Sequence, residues 1–508
     1  MPESRFTRRH FFYGSLLAGA VPAAGFGSTP SLKMLGYKSP NEKLNIASIG
    51  AGGRAAADIR GCAPTENLVA LCDVDGKEAA ATFKQFEKAT KYQDFRKMLD
   101  KEGRNIDAVV VAIPDFMHAT AATWCMERGK HVYVEKPLTR TAWEARWLRD
   151  TAAKYKVATQ MGNQGYSNEG TRQCAEMIWA GEIGDVTEVH AWTNRPVWPQ
   201  GLTAIPAEDR VPDTLDWDLW QGVSAARPYT SGGAAYEKER YKFYQPFNWR
   251  GFFDYGCGSL GDMACHILGA PNLALRLGPP SSVECVRQDG ASPFMFPKSS
   301  TVRFDFPARG NMPAVKVFWY DNCKVNPQLP GVPDGEFLGD LPTRPQPPRP
   351  PGQPAPAAAP APRSPYQGRV FSWPEWTEIQ PLLSIPKSLP TPNGSLFVGS
   401  KGMLTTGTYG ESTRLLPVEK MKDYSFPPPL LTRSPGHHRD WIRACKGGDP
   451  ACSNFDIAAP FTEWILLGVV ALRVPGKLEW DSAKMRFTNS TEANRYVKPA
   501  FRKGWSIA

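Results

Sequence analysis

The sequence predicts an α/β protein: an N-terminal doubly wound parallel sheet, followed by a larger α+β domain with a large open, mostly antiparallel sheet. Two observations predict it. Between residues 42 and 163, continuous Val/Ile/Ala runs alternate with amphipathic segments of helical period, and strands covered on both faces read as such unbroken apolar runs. After residue 164 the alternation stops, and β-rich runs recur between long aromatic loops, which suits an α+β domain on an open sheet. A chain of 508 residues also exceeds one ordinary core, so two domains with additional segments are expected.

The chain opens "MPESRFTRRHFFYGSLLAGAVPAAGFGS", with Arg8 and Arg9 paired before a weakly hydrophobic, Ala- and Gly-rich segment from Phe11 to about Ala24. That segment is too short to span a bilayer as a stable helix. It resembles a twin-arginine export signal. Residues 1–35 are therefore expected to be signal peptide and linker, with the twin-arginine translocase as a partner during export and the periplasm, or another exported space, as the destination. No later apolar run is long enough for a membrane span.

In order, "KLNIASIG" reads as a strand, "RAAADIRGC" as a helix, "NLVALCDVD" as a strand and "KEAAATFKQFEKA" as a helix. "NIDAVVVAIP", "HVYVEKP" and "VATQMGN" read as further strands, separated by the helices "HATAATWCMERGK" and "TAWEARWLRDTAAKYK". Residues 42–163 thus form one nucleotide-binding unit, and residues 164–508 the second domain. There, strands are expected at 186–193, within 282–306 and at 314–320. Residues 341–366 hold proline at eleven of twenty-six positions; they read as an exposed, polyproline-like stretch of an insertion covering about 324–366.

The formal charge of +10 is modest for this length, and Lys and Arg are dispersed among acids, so no nucleic-acid partner is expected. Of ten cysteines, Cys62, Cys72, Cys125, Cys174 and Cys285 sit in apolar runs, where free Cys behaves as a small hydrophobe. Cys445 and Cys452 are the one close pair kept as a candidate bridge.

"IGAGGRA" (residues 49–55) follows a strand and opens a helix, giving G-x-G-x-x-A at Gly50, Gly52 and Ala55, with Gly53 and Arg54 beside them. Such glycines let backbone approach a pyrophosphate at a helix N-terminus, as in a Rossmann domain. Asp73, ending the second strand, stands where a carboxylate grips the adenosine ribose hydroxyls. Its charge disfavours a 2′-phosphate, so the expected cofactor is NAD rather than NADP, with Arg54 alone arguing the other way.

"GFFDYGCGSLGDMACHILGAPNLAL" (residues 251–275) places Asp262 and His266 four apart, on one face of a helix. Three readings are open. Ser259 and Asp262 have capping-box spacing, leaving His266 as a core residue; the pair could share a metal, although no HExxH or paired-Cys pattern supplies a third ligand, so no metal is expected; or the pair is catalytic.

"IPDFMH" (residues 113–118), "VEKP" (residues 134–137) and Asp262-x-x-x-His266 occur in that order, and together they resemble the signatures of the Gfo/Idh/MocA oxidoreductase family. The resemblance covers residues 43 to about 320 and resumes from about 390 to 505, where "GHHRDWIRACKGG" and "NFDIAAPFTEWILLGVVAL" are similar to closing helices of that group. It implies that Lys136 contacts the nicotinamide ribose and the reacting hydroxyl, that Glu135 contacts the ribose, and that Pro114, His118 and Asn163 belong to the cofactor site. It also implies that His266 is the general base and Asp262 positions substrate or base. The chemistry agrees, because hydride leaves an alcohol carbon only as the hydroxyl proton is removed, and a His poised near neutral pH beside Lys136 can remove it. "GNQGYSNEG" (residues 162–170) departs from the family's more usual arginine-bearing loop, at Asn163 and Gln164.

Aromatic residues cluster in "HAWTNRPVWPQG" and "RYKFYQPFNWRGFFDYGCG" beside Arg195 and Arg250, and aromatic faces with convergent polar groups suit a sugar. Arg195, Trp198 and Tyr255 are the expected substrate contacts. The expected activity is an exported, NAD-dependent oxidation or reduction of a secondary alcohol of a sugar or glycoside, in a homo-oligomer that keeps and recycles its cofactor. The alternatives are an NAD-dependent glycosidase on the same fold and a sugar-binding protein without turnover.

Overall fold

The computed structural model describes residues 42–323, 329, 331–333, 336–340 and 393–507. The paired arginines and the proline-rich run at 341–366 lie outside these residues.

Six parallel strands build the first domain: β1 (Asn45–Ile49), β2 (Asn67–Cys72), β3 (Thr90–Tyr92), β4 (Ala108–Val111), β5 (His131–Val134) and β6 (Thr159–Met161). Their spatial order is β3-β2-β1-β4-β5-β6, so the winding reverses between β1 and β4. Ligands bind at such switch points in open α/β sheets, beyond the carboxyl ends of the strands. The crossovers are α1 (Gly53–Cys62), α2 (Gly76–Gln85), α3 (Phe95–Glu102), α4 (Asp115–Glu127) and α5 (Ala142–Tyr155). β1 and β4 are almost wholly buried, as their Val/Ile/Ala composition requires. β3 and α3 escape the sequence reading: β3 is a three-residue edge strand with two exposed residues, and it carries no apolar run. α5 starts on a capping box, with the Thr141 hydroxyl accepting from the Glu144 amide and the Glu144 carboxylate accepting from the Thr141 amide.

The second domain begins with α6 (Glu169–Trp179) and is built on a nine-stranded sheet. Its strands are β7 (Val186–Thr193), β8 (Ser282–Asp289), β9 (Ser299–Phe306), β10 (Val315–Tyr320), β11 (Asn393–Gly399), β12 (Gly402–Thr406), β13 (Arg414–Leu416), β14 (Leu478–Asp481) and β15 (Arg486–Phe487). The order is β13-β12-β11-β7-β10-β9-β8-β14-β15, antiparallel except where β7 meets β10. Burial alternates along β9, so one face of the sheet is covered.

Three helices pack the two domains together. α7 (Gly258–Ile267) is buried along its whole length. α8 (His437–Cys445) returns to the first domain, where Trp441, Ile442 and Cys445 join Leu44, Ile46, Val110 and Tyr133 in one apolar cluster. α9 (Phe455–Ala471) packs against α5 and α7. Its Trp464 meets the rings of Phe304 and Phe306 on β9 at 5.1 and 5.3 Å, while Glu463 receives the Arg146 guanidinium of α5 through two bonds of 3.0 and 2.6 Å. Such a bidentate pair fixes geometry as well as contributing energy, so the second domain holds a fixed pose on the first.

All ten cysteines are free. Cys445 and Cys452 do not form the candidate bridge, because Cys445 faces the apolar cluster beneath α8 whereas the Cys452 thiol lies 3.1 Å from the Ser167 hydroxyl. Among the described residues, no helix is long and apolar enough to cross a membrane.

Candidate active site

A cleft of about 650 Å³ opens at the switch point and runs between the domains, bordered by Gly50, Gly52 and Asp73 at one end and by Lys136, Asp262 and His266 at the other. The loop from β1 into α1 hugs its neighbours. Gly50 has φ +97°, and a Cβ there would lie 2.2 Å from the Ala112 carbonyl oxygen; one on Gly52 would lie 2.9 Å from the Glu78 carbonyl. Only glycine fits, and the N-terminus of α1 is thereby presented to the cleft beside Gly53.

The Asp73 carboxylate supports this loop, Oδ2 accepting from the amides of Ala51 (2.8 Å) and Gly52 (3.2 Å) and Oδ1 from that of Asp75 (3.0 Å). Burial raises its pKa and these bonds oppose the rise. A carboxylate oxygen has about two acceptor sites, so Oδ1 keeps one for a ribose hydroxyl. Arg54 is committed elsewhere: Nε donates to Glu135 and Nη2 to Asp58, both at 3.0 Å. The one side chain that argued for a 2′-phosphate is thus tied down. A glycine cradle, a helix N-terminus and a buried acid in this order fit NAD.

Lys136 lies just past the end of β5, and its Nζ donates to both the carbonyl (2.7 Å) and Oδ1 (2.8 Å) of Asp262 on α7. Arg250 Nε reaches the same Oδ1 at 3.2 Å. Burial opposes ionisation of Asp262, but Lys136 and Arg250 overcome it and hold the carboxyl well below its ordinary range. One turn on, His266 borders the cleft with Nδ1 buried and free of hydrogen bonds among the described residues. Burial, then the Lys136 charge, push its pKa well below 6.5 against the pull of Asp262. His266 is therefore a firmly neutral imidazole, not one poised near neutral pH as expected from sequence.

The capping reading of Ser259 fails. α7 begins at Gly258, the Ser259 hydroxyl donates to Asp321 Oδ2 at 2.6 Å, and Asp262 is occupied by Lys136. Pro114 borders the cleft at the start of α4, whereas His118 is fully buried behind it. The His118 ring nitrogens meet the carbonyls of Pro137 (2.8 Å) and Ile113 (2.7 Å), so this ring staples the loops after β4 and β5 together instead of touching a nucleotide. Asn163 is likewise 1% exposed and directed at the Cys265 carbonyl, away from the cleft lining. Glu135 borders the cleft but is a hub, its Oε1 accepting from Arg54 and, at 2.8 Å, from Gln164; Gln164 thus takes part where the family's loop differs.

Of the expected substrate contacts, only Arg195 borders the cleft. Trp198 donates to Gln200 and packs on Phe247. Tyr255 is 0% exposed among Phe116, Trp220 and Tyr244. Both are core residues, as most aromatics in such loops are. Among the cleft residues not singled out from sequence are Asp115, Tyr409 and Arg240. Asp115, inside "IPDFMH", is pushed up to about 7 by burial, with Asp262 adding to the rise and Arg250 and Lys136 opposing it. Tyr409, in the turn between β12 and β13, sets its ring edge-on to His266 at 4.8 Å; no local pattern announces it, because the contact arises only when the sheet closes over α7.

Residues 44–163 match the Gfo/Idh/MocA family model described as an oxidoreductase family, NAD-binding Rossmann fold, and residues 181–281 match that family's C-terminal alpha/beta domain. An inositol 2-dehydrogenase of Saccharopolyspora erythraea is 32% identical over 154 residues, 29% of this chain and 44% of that protein. A glycosyl hydrolase family 109 protein of Solibacter usitatus is 31% identical over 184 residues, 33% of this chain and 41% of that protein. These matches span less than half the length of either relative. In fold, the chain is similar to the WlbA dehydrogenase of Bordetella pertussis, crystallised with NADH and UDP-GlcNAcA, with a TM-score of 0.51 at 13% identity over 87% of this chain and 99% of that one.

Proposed function

We propose that this chain, which carries the NAD-binding and C-terminal domains of the Gfo/Idh/MocA oxidoreductase family, oxidises or reduces a secondary alcohol of a sugar or glycoside. One observation carries the reading: Lys136 is clamped on Asp262, with His266 one turn away, at the far end of the cleft that starts on the glycine loop.

A bound nicotinamide supplies a hydride acceptor at this end of the cleft. The residues do the rest. Neutral His266 takes the hydroxyl proton as the C–H bond breaks, acting as general base. Lys136 has three donors; Asp262 accepts two of them, and the third is left for the substrate oxygen, where it stabilises the charge that grows as the proton departs. Asp262 positions Lys136, Arg250 steadies Asp262, and Tyr409 holds the imidazole plane. Asp73 selects NAD through the ribose, and Arg54 with Gln164 orients Glu135 along the cofactor channel.

The glycosyl hydrolase relative supports a second reading, in which oxidation of the sugar is followed by elimination, hydration and return of the hydride. Incubating the protein with free sugars and aryl glycosides, while following nicotinamide absorbance and aglycone release, separates the two. Net reduction of NAD by a free sugar supports the dehydrogenase; aglycone release without net reduction supports the glycosidase. Neither response across the panel contradicts both.

Arg8 and Arg9 support export of the folded protein. Outside the cytoplasm no dependable pool of NAD exists, so NAD loaded before export and regenerated in place completes the proposal.

A further inference from the structure

The substrate end of the cleft holds more positive charge than its carboxylates neutralise. Lys136, Arg195, Arg240 and Arg250 border it, against Asp262 and Asp115. Asp262 alone is shared by Lys136 and Arg250, while Glu135 is matched by Arg54. Burial favours the protonated form of Asp115. Among the described residues, no carboxylate forms an ion pair with Arg195 or Arg240. Arg195 is half-buried and close enough to Asp262 for its charge to help hold that carboxyl ionised. A guanidinium drawn partly out of water without a partner is costly, and its planar fork is shaped for carboxylate or phosphate.

Aromatic rings set Arg250 and Arg240 in place. Arg250 lies 4.4 Å over Phe247 and 4.3 Å over Trp249, Arg240 lies 5.1 Å over Tyr241, and Tyr241 stacks on Phe247 at 4.8 Å. This surface offers an apolar face for a sugar ring with unpaired donors around its edge. Arg195, Arg240 and Arg250 all come from the second domain, whereas the glycine loop and Arg54 belong to the first, so these cations face the substrate and not the pyrophosphate cradle.

We infer that the substrate is an anionic sugar, a monosaccharide unit whose carboxylate or phosphate is received by Arg195 and Arg240 while Lys136 and His266 address the reacting hydroxyl. This rests on the proposed sugar oxidoreductase reading and deepens it.

The test is calorimetric titration of the NAD-loaded full chain with glucuronate, galacturonate and glucose 6-phosphate, against glucose and galactose. At least one acidic probe is expected to bind about tenfold or more tightly than its neutral parent, with the preference shrinking in salt. Binding of the uronates identifies a carboxylate as the anion, and binding of glucose 6-phosphate identifies a phosphate. Arg195→Ala and, independently, the exposed Arg240→Ala should each weaken the acidic probe by about tenfold, and by more than they weaken its neutral parent, while leaving the NAD affinity unchanged. Equal or tighter binding of the neutral sugars, no binding of any acid, or an acid preference intact in both variants would overturn the inference. Acid-selective binding without hydride transfer contradicts the oxidoreductase reading alone, whereas turnover of neutral sugars without acid preference contradicts this inference alone.

Discussion

Asp262 and Lys136 hold each other across the domain boundary, and both are largely shielded from water. Asp262→Asn leaves Lys136 without its counter-charge, and breaking such a pair costs about 3–5 kcal/mol, so the denaturation midpoint should fall clearly at pH 7. Because the folded carboxyl is depressed below 3.8, its contribution is complete above that value and is lost as pH falls through the folded pKa. The gap between wild type and variant should therefore narrow only in strong acid; an equal gap at pH 7 and near pH 2 would contradict the assignment. His266, held well below 6.5, stays deprotonated as pH falls through that value, while burial pushes Asp115 up to about 7. The profile of kcat/KM should thus show an inflection near 7 that Asp115→Asn removes, with the His266 limb lying below 6.5. A limb at 6.5 or above that persists in Asp115→Asn would refute the neutral-base account. That Lys136, Asp262 and His266 would share one end of the cleft was legible in sequence, because a fixed spacing and a fixed motif order bring them together. Trp198 and Tyr255 were not, since aromatics in a loop fill a core as readily as they line a pocket. Asp115 was visible only as one letter of a signature; its pKa depends on burial that no spacing reveals.

The element that decides cofactor binding is the turn between β1 and α1. Gly50→Ala would place a Cβ on the Ala112 carbonyl at a left-handed backbone position, which should cost at least about 1–3 kcal/mol and abolish NAD binding measured by calorimetry. Near-normal affinity would show that the loop need not approach β4. Asp73→Ala should weaken NAD and raise relative affinity for NADP; a wild type that already prefers NADP would overturn the role of Asp73. The Val- and Ala-rich strands were legible because burial on both faces leaves its mark in composition. β3, β13 and β15 are only two or three residues long and are defined by the neighbours they pair with. Caps were ambiguous for a related reason. Ser259 and Thr141 both carry an acid three residues on, but only Thr141 forms the box, because Asp321 and Lys136 claim the other pair.

At the scale of the molecule, the domains meet over the cleft, and α8 and α9 tie the last part of the chain back onto the first domain. The two-domain architecture was legible in the change of periodicity near residue 164, but this return was not, since helices read alike whichever sheet they cover. Under the proposed export and retention, purified protein that is then denatured should release NAD in near-stoichiometric amount; protein that is empty and turns over only with added NAD would overturn retention. In the proposed reaction His266 takes the hydroxyl proton at the end of the NAD cleft. The most direct test of this role is the rate at which bound NAD is reduced in a single turnover by a substrate from the sugar panel, in wild type and in His266→Ala. A fall of about a hundredfold or more is expected with NAD still bound; an unchanged rate would rule out His266 as the base.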